Sequence, residues 1–397
     1  MSEWKEVRLG SLVRRKIGYG IVQPGASPEK GVPVIKANNI IAGLTSIDEL
    51  DNTTQEIDSK YPRTKLNGGE LIISLVGTVG KTAIVPSSFA GCNLVRATGL
   101  IDIEDPSLTK WVKYYIASSK GQYYINTNLN TTVQATLNVK SLAEMPIPIP
   151  PKREMGKMVD ILSSLDDKIA VNRRICENLE AQAQALFKNW FVDFAPFKNG
   201  KFVESELGMI PEGWRVGSPY EYLDFIYGAP YKSNLFNDKK EGLPLIRIRD
   251  LKDCSPQFYT PEILPKSEYV NAGDILAGMD AEFAPFIWKG QQGLLNQRVC
   301  KIKPKSEEIG RLFCMLLVKP QLLFVQAVKT GTTVSHIGKS DIDRFKVILP
   351  PLSEVIKFSK LGEEIFDEII TLSAESSRLS TLRDTLLPKL MSGEIKI

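Results

Sequence analysis

A single histidine, His336, serves all 397 residues. That scarcity excludes any Cys/His zinc site, any HExxH protease and any histidine-rich metal cluster. A Ser-His-Asp triad would have to be built on His336 alone, and no GxSxG elbow exists to support it. The five cysteines (Cys92, Cys176, Cys254, Cys300, Cys314) are scattered, odd in number and lack a CxxC pair, the pattern of reduced thiols in a cytoplasmic protein. No run approaches the ~20 apolar residues of a membrane span, and MSEWKEVRLG at the N-terminus lacks the apolar stretch of a secretion signal. No GxGxxG follows a strand, and no Asp/Asn/Ser-Pro-Pro-aromatic run supplies the catalytic loop of an adenine methyltransferase. Charge of one sign is modest too: a net +4 hints at an anionic partner without requiring one. These absences imply no cofactor, no metal and no catalytic role.

Two features look like chemistry and are better read as structure. SLVGTVGKT, Ser74 to Thr82, approaches a phosphate-binding GxxxxGK(S/T) loop, but its first glycine would fall at Leu75. The Ala-Ile-Val-Pro that follows is β-like, whereas such a loop must open a helix, so a tight turn between strands is expected. Asp166-Asp167 falls on a helical stretch and reads as a solvated face rather than a metal ligand.

What is present is present twice. GVPVIKANNI, LNGGELIISLVG, NTTVQATLNVKS and AEMPIPIPP recur, diverged, as GLPLIRIRDL, VNAGDILAGM, GTTVSHIGKS and RFKVILPP. The offset is about 200 residues and drifts between landmarks, as diverged loops require. Short β-branched runs broken by Gly, Asn and Pro, with one helical stretch from Leu108 to about Ser119, predict an α+β first domain over residues 1–152. The PIPIPP run, Pro146 to Pro151, suits an edge strand or an extended exit.

After it the periodicity turns helical over 153–192. Leu162, Leu165, Ile169, Asn172, Cys176, Leu179, Ala183, Leu186 and Trp190 follow 3-4 spacing, a coiled-coil seam with one polar position at Asn172. A linker from Asp193 to about Gly213 and a second domain fill 193–351. A second helix over 352–397 carries Phe358, Ile365, Leu372, Leu379 and Leu386 spaced by seven, with Leu361 and Leu382 as further seam positions. Two such helices on one chain should pair with each other, antiparallel, an intermolecular coil being the alternative. The predicted fold is therefore two similar mixed α/β domains joined by two long antiparallel helices, with pseudo-twofold symmetry.

The polar loops of the repeat supply candidate nucleic-acid contacts. Lys36, Asn38 and Asn39 follow the first PVI strand, and Arg247, Arg249 and Asp250 hold the matching place in the second copy. Arg commonly reads guanine and Asn or Gln adenine, so a different set in each copy suits two readers of different sequences. Thr131, Thr132 and Gln134, with Thr332, Thr333, Ser335 and His336, form matching polar turns suited to phosphate or base contacts, and Lys81 adds a cation.

The helical segments carry a resemblance. IPIPPKREMGKMVDILSSLDDKI (Ile147 to Ile169), LFKNWFVDFAPFKNGKFVESELGMIPEGW (Leu186 to Trp214) and LRDTLLPKLMSGEI (Leu382 to Ile395) resemble the conserved regions of type I restriction-modification specificity subunits. One departure is visible: Met155 and Val355 stand where that family usually has Gln after the Glu of PPxxE. The resemblance implies two target-recognition domains, each reading half of a bipartite double-stranded DNA sequence. It also implies helices that set the gap between the halves and dock two methyltransferase subunits, with restriction subunits in the full complex and no chemistry in this chain. Leu165, Ile169, Leu179, Leu186, Leu372 and Leu379 mark the helices expected to dock partners. The competing expectation is a coiled-coil scaffold whose two domains bind proteins.

Overall fold

The computed structural model describes residues 4–130, 134–329 and 336–395. The chain is α+β and forms two compact units, Met1–Lys168 with Leu379–Ile397, and Ile169–Arg378. The long helices, Lys152–Phe191 and Leu352–Met391, end close to the expected boundaries. They are not separate bodies, because each unit takes one end of both.

Both units are built around the same strand order. In the first, Val32–Ile35 lies between antiparallel Asp51–Thr53 and parallel Asn93–Leu94. Leu71–Ser74 lies between Thr82–Ile84 and Thr98–Ile101, both antiparallel. All four residues of Leu71–Ser74 are buried because both faces are covered. Leu71 and Ile73 face a core with Trp111 and Ile116, while Ile72 faces another with Ile35 and Leu94, as a period of two dictates. The second unit repeats the arrangement. Leu243–Ile246 lies between Phe258–Thr260 and parallel Gly293–Leu295, and Ile275–Gly278 between Pro285–Ile287 and Val299–Pro304. There Ile275 and Ala277 face one core and Leu276 the other. The second unit adds a full strand, Leu223–Tyr227, where the described residues of the first show the bridges Arg15–Asp102 and Tyr19–Gly99. Among the described residues the proline-rich exit Pro146–Ile149 pairs with Lys5–Arg8 alone, an edge position that tolerates missing N–H groups.

The helix expected from Leu108 to about Ser119 is present as Pro106–Ala117, and a second, not expected, follows it. Asp105 accepts from the N–H groups of Ser107 and Leu108 and starts Pro106–Ala117, with proline at the first position. Ser118 then caps a second helix, Ser119–Thr127, by accepting from the Gly121 N–H at 3.2 Å. SKGQYYINT shows too little apolar periodicity for this second helix to be read. In the second unit the helix Arg311–Lys329 is long and apolar enough to cross a membrane, which amends the reading that no such run exists. Leu312 through Val318 are buried in the second unit's core, so packing accounts for its apolarity.

The expected linker is also structured. Phe202–Ser205 and Gly208–Pro211 form a hairpin, Ile210 is buried, and Trp214 meets Phe194 and Phe197 edge-on at centroid distances of 5.4 and 5.0 Å. Its aromatic residues, spread among Gly, Lys and Pro, give no strand period but find a core.

The long helices pair antiparallel within each unit. In the second, Asn172 Nδ2 donates to Glu375 Oε2 at 2.7 Å and to Ser376 Oγ at 3.3 Å, while the Cys176 thiol points to the Ile369 carbonyl at 3.7 Å. Rising numbers on one helix meet falling numbers on the other. In the first unit, Met155, Met158, Val159 and Leu162 share a core with Leu387, Leu390 and Met391. The first helix uses the expected seam. The second buries Val355, Phe358, Phe366, Ile369 and Leu372 instead of a strict run of sevens, and Leu361 and Leu382 are 46% and 47% exposed. A straight helix of 3.6 residues per turn drifts away from a seven-residue stripe, so the buried line shifts from Ile365 to Phe366.

Asp166 is not on a solvated face. It accepts from Tyr114 Oη at 2.9 Å, Lys113 Nζ at 3.1 Å and Arg383 Nη1 at 2.8 Å. Burial alone would raise its carboxyl, but the two cations and the phenol outweigh it and hold the group below its ordinary value.

Candidate nucleic-acid interface

In each unit the same short device sits at the end of a central strand. After Val32–Ile35, the Lys36 N–H donates to Asn39 Oδ1 at 2.7 Å and opens the helix Ala37–Ala42. After Leu243–Ile246, the Arg247 N–H donates to Asp250 Oδ2 at 2.9 Å and opens the turn Ile248–Asp250. Asn39 and Asp250 therefore serve as caps. Asp250 is only 1% exposed, so its expected role as a DNA contact is corrected: burial pushes its carboxyl up, and no base could reach it. The two leading cations are engaged as well. Lys36 pairs with the Asp51 carboxylate, and the Arg247 guanidinium lies over the rings of Phe258 and Phe236, at 5.4 and 5.9 Å from their centroids. Between cation and cap stand Asn38 and Arg249, both exposed and neither hydrogen-bonded through its side chain among the described residues.

Further loops converge on these. In the first unit the helix Ala37–Ala42 packs on strands Leu71–Ser74 and Thr82–Ile84. The connection between those strands is the expected turn: Ser74 Oγ accepts from the Lys81 N–H at 3.0 Å and donates to the Thr78 carbonyl at 2.6 Å. The Lys81 side chain is exposed. The Gly77 N–H donates to the Ala135 carbonyl at 2.9 Å, which brings exposed Gln134 alongside. In the second unit Ile248 packs with Leu276 and Phe286, and the Ile337 N–H donates to the Met279 carbonyl at 2.9 Å. His336 Nδ1 lies 2.6 Å from Asp280 Oδ1, and Arg298 also pairs with Asp280 at 3.1 Å, so His336 sits beside an ion pair that has no counterpart among the described residues of the first unit. The matching first-unit bridge, Val76 to Thr136, is uncharged. Thr131, Thr132, Thr332, Thr333 and Ser335 lie outside the described residues.

The description "Type I restriction modification DNA specificity domain" matches residues 1–181 and again 211–381. The chain belongs to this family. It is a type I restriction-modification specificity subunit with two target-recognition domains. It is 25% identical, over the full length of both chains, to the type I restriction enzyme HindI specificity subunit of Haemophilus influenzae. It is 29% identical over 317 residues to the type I restriction enzyme MjaIX specificity subunit of Methanocaldococcus jannaschii, covering 74% of this chain and 71% of that one. The crystal structure of the type I restriction-modification system S subunit from M. genitalium shares the fold, with a TM-score of 0.50, 14% identity, and 98% and 96% of the two chains covered.

Three of the six residues expected to mark the partner-docking helices are turned inward. Leu372 is buried, and Leu179 and Leu186 pack on the second unit's core, while Leu165, Ile169 and Leu379 are half-buried. For Leu179, Leu186 and Leu372 the seam spacing is the mark of residues used within the chain. Val171 and Ile175, one turn apart on the first helix, are 47% and 38% exposed and offer an outward apolar face.

Two exposed residues in these recognition domains escaped the sequence reading. Arg96 follows strand Asn93–Leu94, and its N–H donates to the Ile21 carbonyl at 2.8 Å. Gln297 follows Gly293–Leu295, and its N–H donates to the Ala229 carbonyl at 3.1 Å. Both rest on a Tyr-Gly pair, Tyr19-Gly20 and Tyr227-Gly228. A Cβ on Gly20 would lie 2.2 Å from the Leu94 carbonyl, and one on Gly228 2.3 Å from the carbonyl oxygens of Leu295 and Asn296. The repeated Tyr-Gly was the available signal.

Proposed function

We propose that each recognition domain reads one half of a bipartite double-stranded DNA target and that this chain supplies sequence choice while its partners supply chemistry. One observation carries the reading: two units repeat one scaffold around Asn38 and Arg249, equivalent exposed positions of different chemistry. Identical heads would read identical half-sites, whereas unlike tips on like heads suit an asymmetric target. The net charge of +4 is small for a protein that must neutralise a phosphate track alone. Partner subunits that bring their own cations complete the electrostatics.

Those partners are two methyltransferase subunits, joined by restriction subunits in the full complex. Val171 and Ile175, rather than the buried Leu372, are the helical residues for docking a methyltransferase subunit. The test is to co-express the chain with its methyltransferase and sequence the host DNA for N6-methyladenine. An interrupted motif with two short specific halves is the expected result. A continuous motif, or methylation independent of this chain, would overturn the reading.

A further inference from the structure

Two exposed side chains stand where the carboxyl ends of paired parallel strands leave each central sheet. Ile35 and Leu94 are register partners in the first unit, and Ile246 and Leu295 in the second. Just past them the backbone is clamped the same way twice. The Val95 N–H donates to the Ile35 carbonyl and the Asn296 N–H to the Ile246 carbonyl, both at 3.2 Å. The next residue, Arg96 or Gln297, is held through its own N–H by Ile21 or Ala229. Across from it, the cap formed by Asn39 or Asp250 fixes the loop that carries Asn38 or Arg249.

The side chains on these matched positions are Asn38 with Arg96, and Arg249 with Gln297. The amide and the guanidinium have exchanged places between the units. None of the four side chains makes a hydrogen bond or close ion pair among the described residues, and all are exposed, although the Arg249 charge acts on the neighbouring Asp250 carboxyl. They are therefore not held by folding, while their backbones are. Asn and Gln present the donor–acceptor pair that fits adenine N6 and N7, and Arg the fork that fits guanine O6 and N7. Adjacent strands lie ~4.8 Å apart, and stacked base pairs are separated by ~3.4 Å. Two short side-chain excursions from neighbouring strand ends can thus meet adjacent steps.

We propose that Asn38 with Arg96, and Arg249 with Gln297, are two base-reading pairs, each pairing an adenine reader with a guanine reader in opposite strand positions. This rests on the DNA-reading role above and deepens it by naming the bases. Lys36 and Arg247, engaged with Asp51 and with the Phe236 and Phe258 rings, are positioning residues for the pairs.

The experiment compares the methylated motifs left in host DNA by the wild-type complex and by the Asn38→Ala, Arg96→Ala, Arg249→Ala and Gln297→Ala variants. Each variant is expected to keep an interrupted motif with one position relaxed. An A·T pair relaxes for Asn38 and Gln297 and a G·C pair for Arg96 and Arg249, with members of a pair affecting the same half. Loss of one bidentate contact should cost roughly 5- to 150-fold in discrimination at that position.

A variant that methylates nothing is purified as the complex, its folding checked by circular dichroism, and its binding measured on oligonucleotides in which 7-deazapurines remove N7. A folded variant that still distinguishes the native base from its 7-deaza form at the assigned position overturns the proposal. So does an unchanged motif in the variants, or relaxation of one pair in different halves. If the wild-type complex itself leaves no interrupted motif, the DNA-reading role fails, an outcome distinct from failure of the pairs alone.

Discussion

Asn39 in the first recognition domain and Asp250 in the second do the same work with different atoms, accepting one backbone N–H to turn the chain. One residue earlier, Asn38 and Arg249 occupy the same place and share no chemistry. The comparison separates two kinds of position inside one four-residue loop. Where a residue must satisfy the backbone, the repeat keeps a short side-chain oxygen. Where it faces solvent, the repeat is free to differ, and it does.

The largest way to break this comparison is to remove what only one unit borrows. Deleting residues after Arg378 takes Leu387, Leu390 and Met391 out of the first unit's core and leaves the second unit whole. Burial of three such side chains stabilises by about 5–8 kcal/mol, within the range of a whole domain's stability. Hydrogen exchange should show protection lost in residues 1–168 and kept in 169–378, and equal loss in both would refute the division. Gly20→Ala and Gly228→Ala come next. Each should destabilise its own unit by about 1–3 kcal/mol through overpacking against a carbonyl, read by exchange in the same two segments. An effect at only one glycine would mean that the Tyr-Gly clamps are not equivalent.

Asp166 supplies a pH test confined to the first unit. Its folded carboxyl titrates below its unfolded value of about 3.9, so its contribution is full above that value and is lost as pH falls through the folded pKa. Asp166→Asn should cost about 1–2 kcal/mol near neutral pH and flatten the acid limb of first-unit stability. An unchanged acid limb in chemical denaturation curves would remove Asp166 from the account. The smallest effects sharpen the comparison most. Asn39→Ala and Asp250→Ala should each cost about 1 kcal/mol as lost caps. Asp250→Asn should be nearly neutral, because the first unit already caps with Asn. A cost for Asp250→Asn equal to that for the Ala variant would show that the second cap needs its charge.

The antiparallel helices and the twinned domains were legible because heptads and duplicated landmarks are long-range patterns that survive divergence. Registers within those patterns were not. Phe366 rather than Ile365 lies in the seam because the true period is 3.6, and Leu361 and Leu382 face outward for the same reason. The helix Ser119–Thr127 was hidden because its start depends on one hydroxyl, Ser118, and not on an apolar stripe. At the candidate interface the loop after the PVI strand was found by its polar residues, but composition cannot distinguish a cap from a free side chain. Asp250 and Asn39 look like readers until the backbone N–H they accept from is located. Arg96 and Gln297 were missed for the converse reason: NLVRAT and LLNQRV align only once the two parallel strand pairs are superposed.

The composition of the first unit also sets an order of events during synthesis. Its core takes in Leu387, Leu390 and Met391, which follow the whole of the second unit, whereas that unit is one unbroken stretch from Ile169 to Arg378. Domains ordinarily fold in the order they leave the ribosome. Here the later domain has all its parts first, and the earlier one waits, its Met155–Leu162 face uncovered, until Leu387–Met391 have been made.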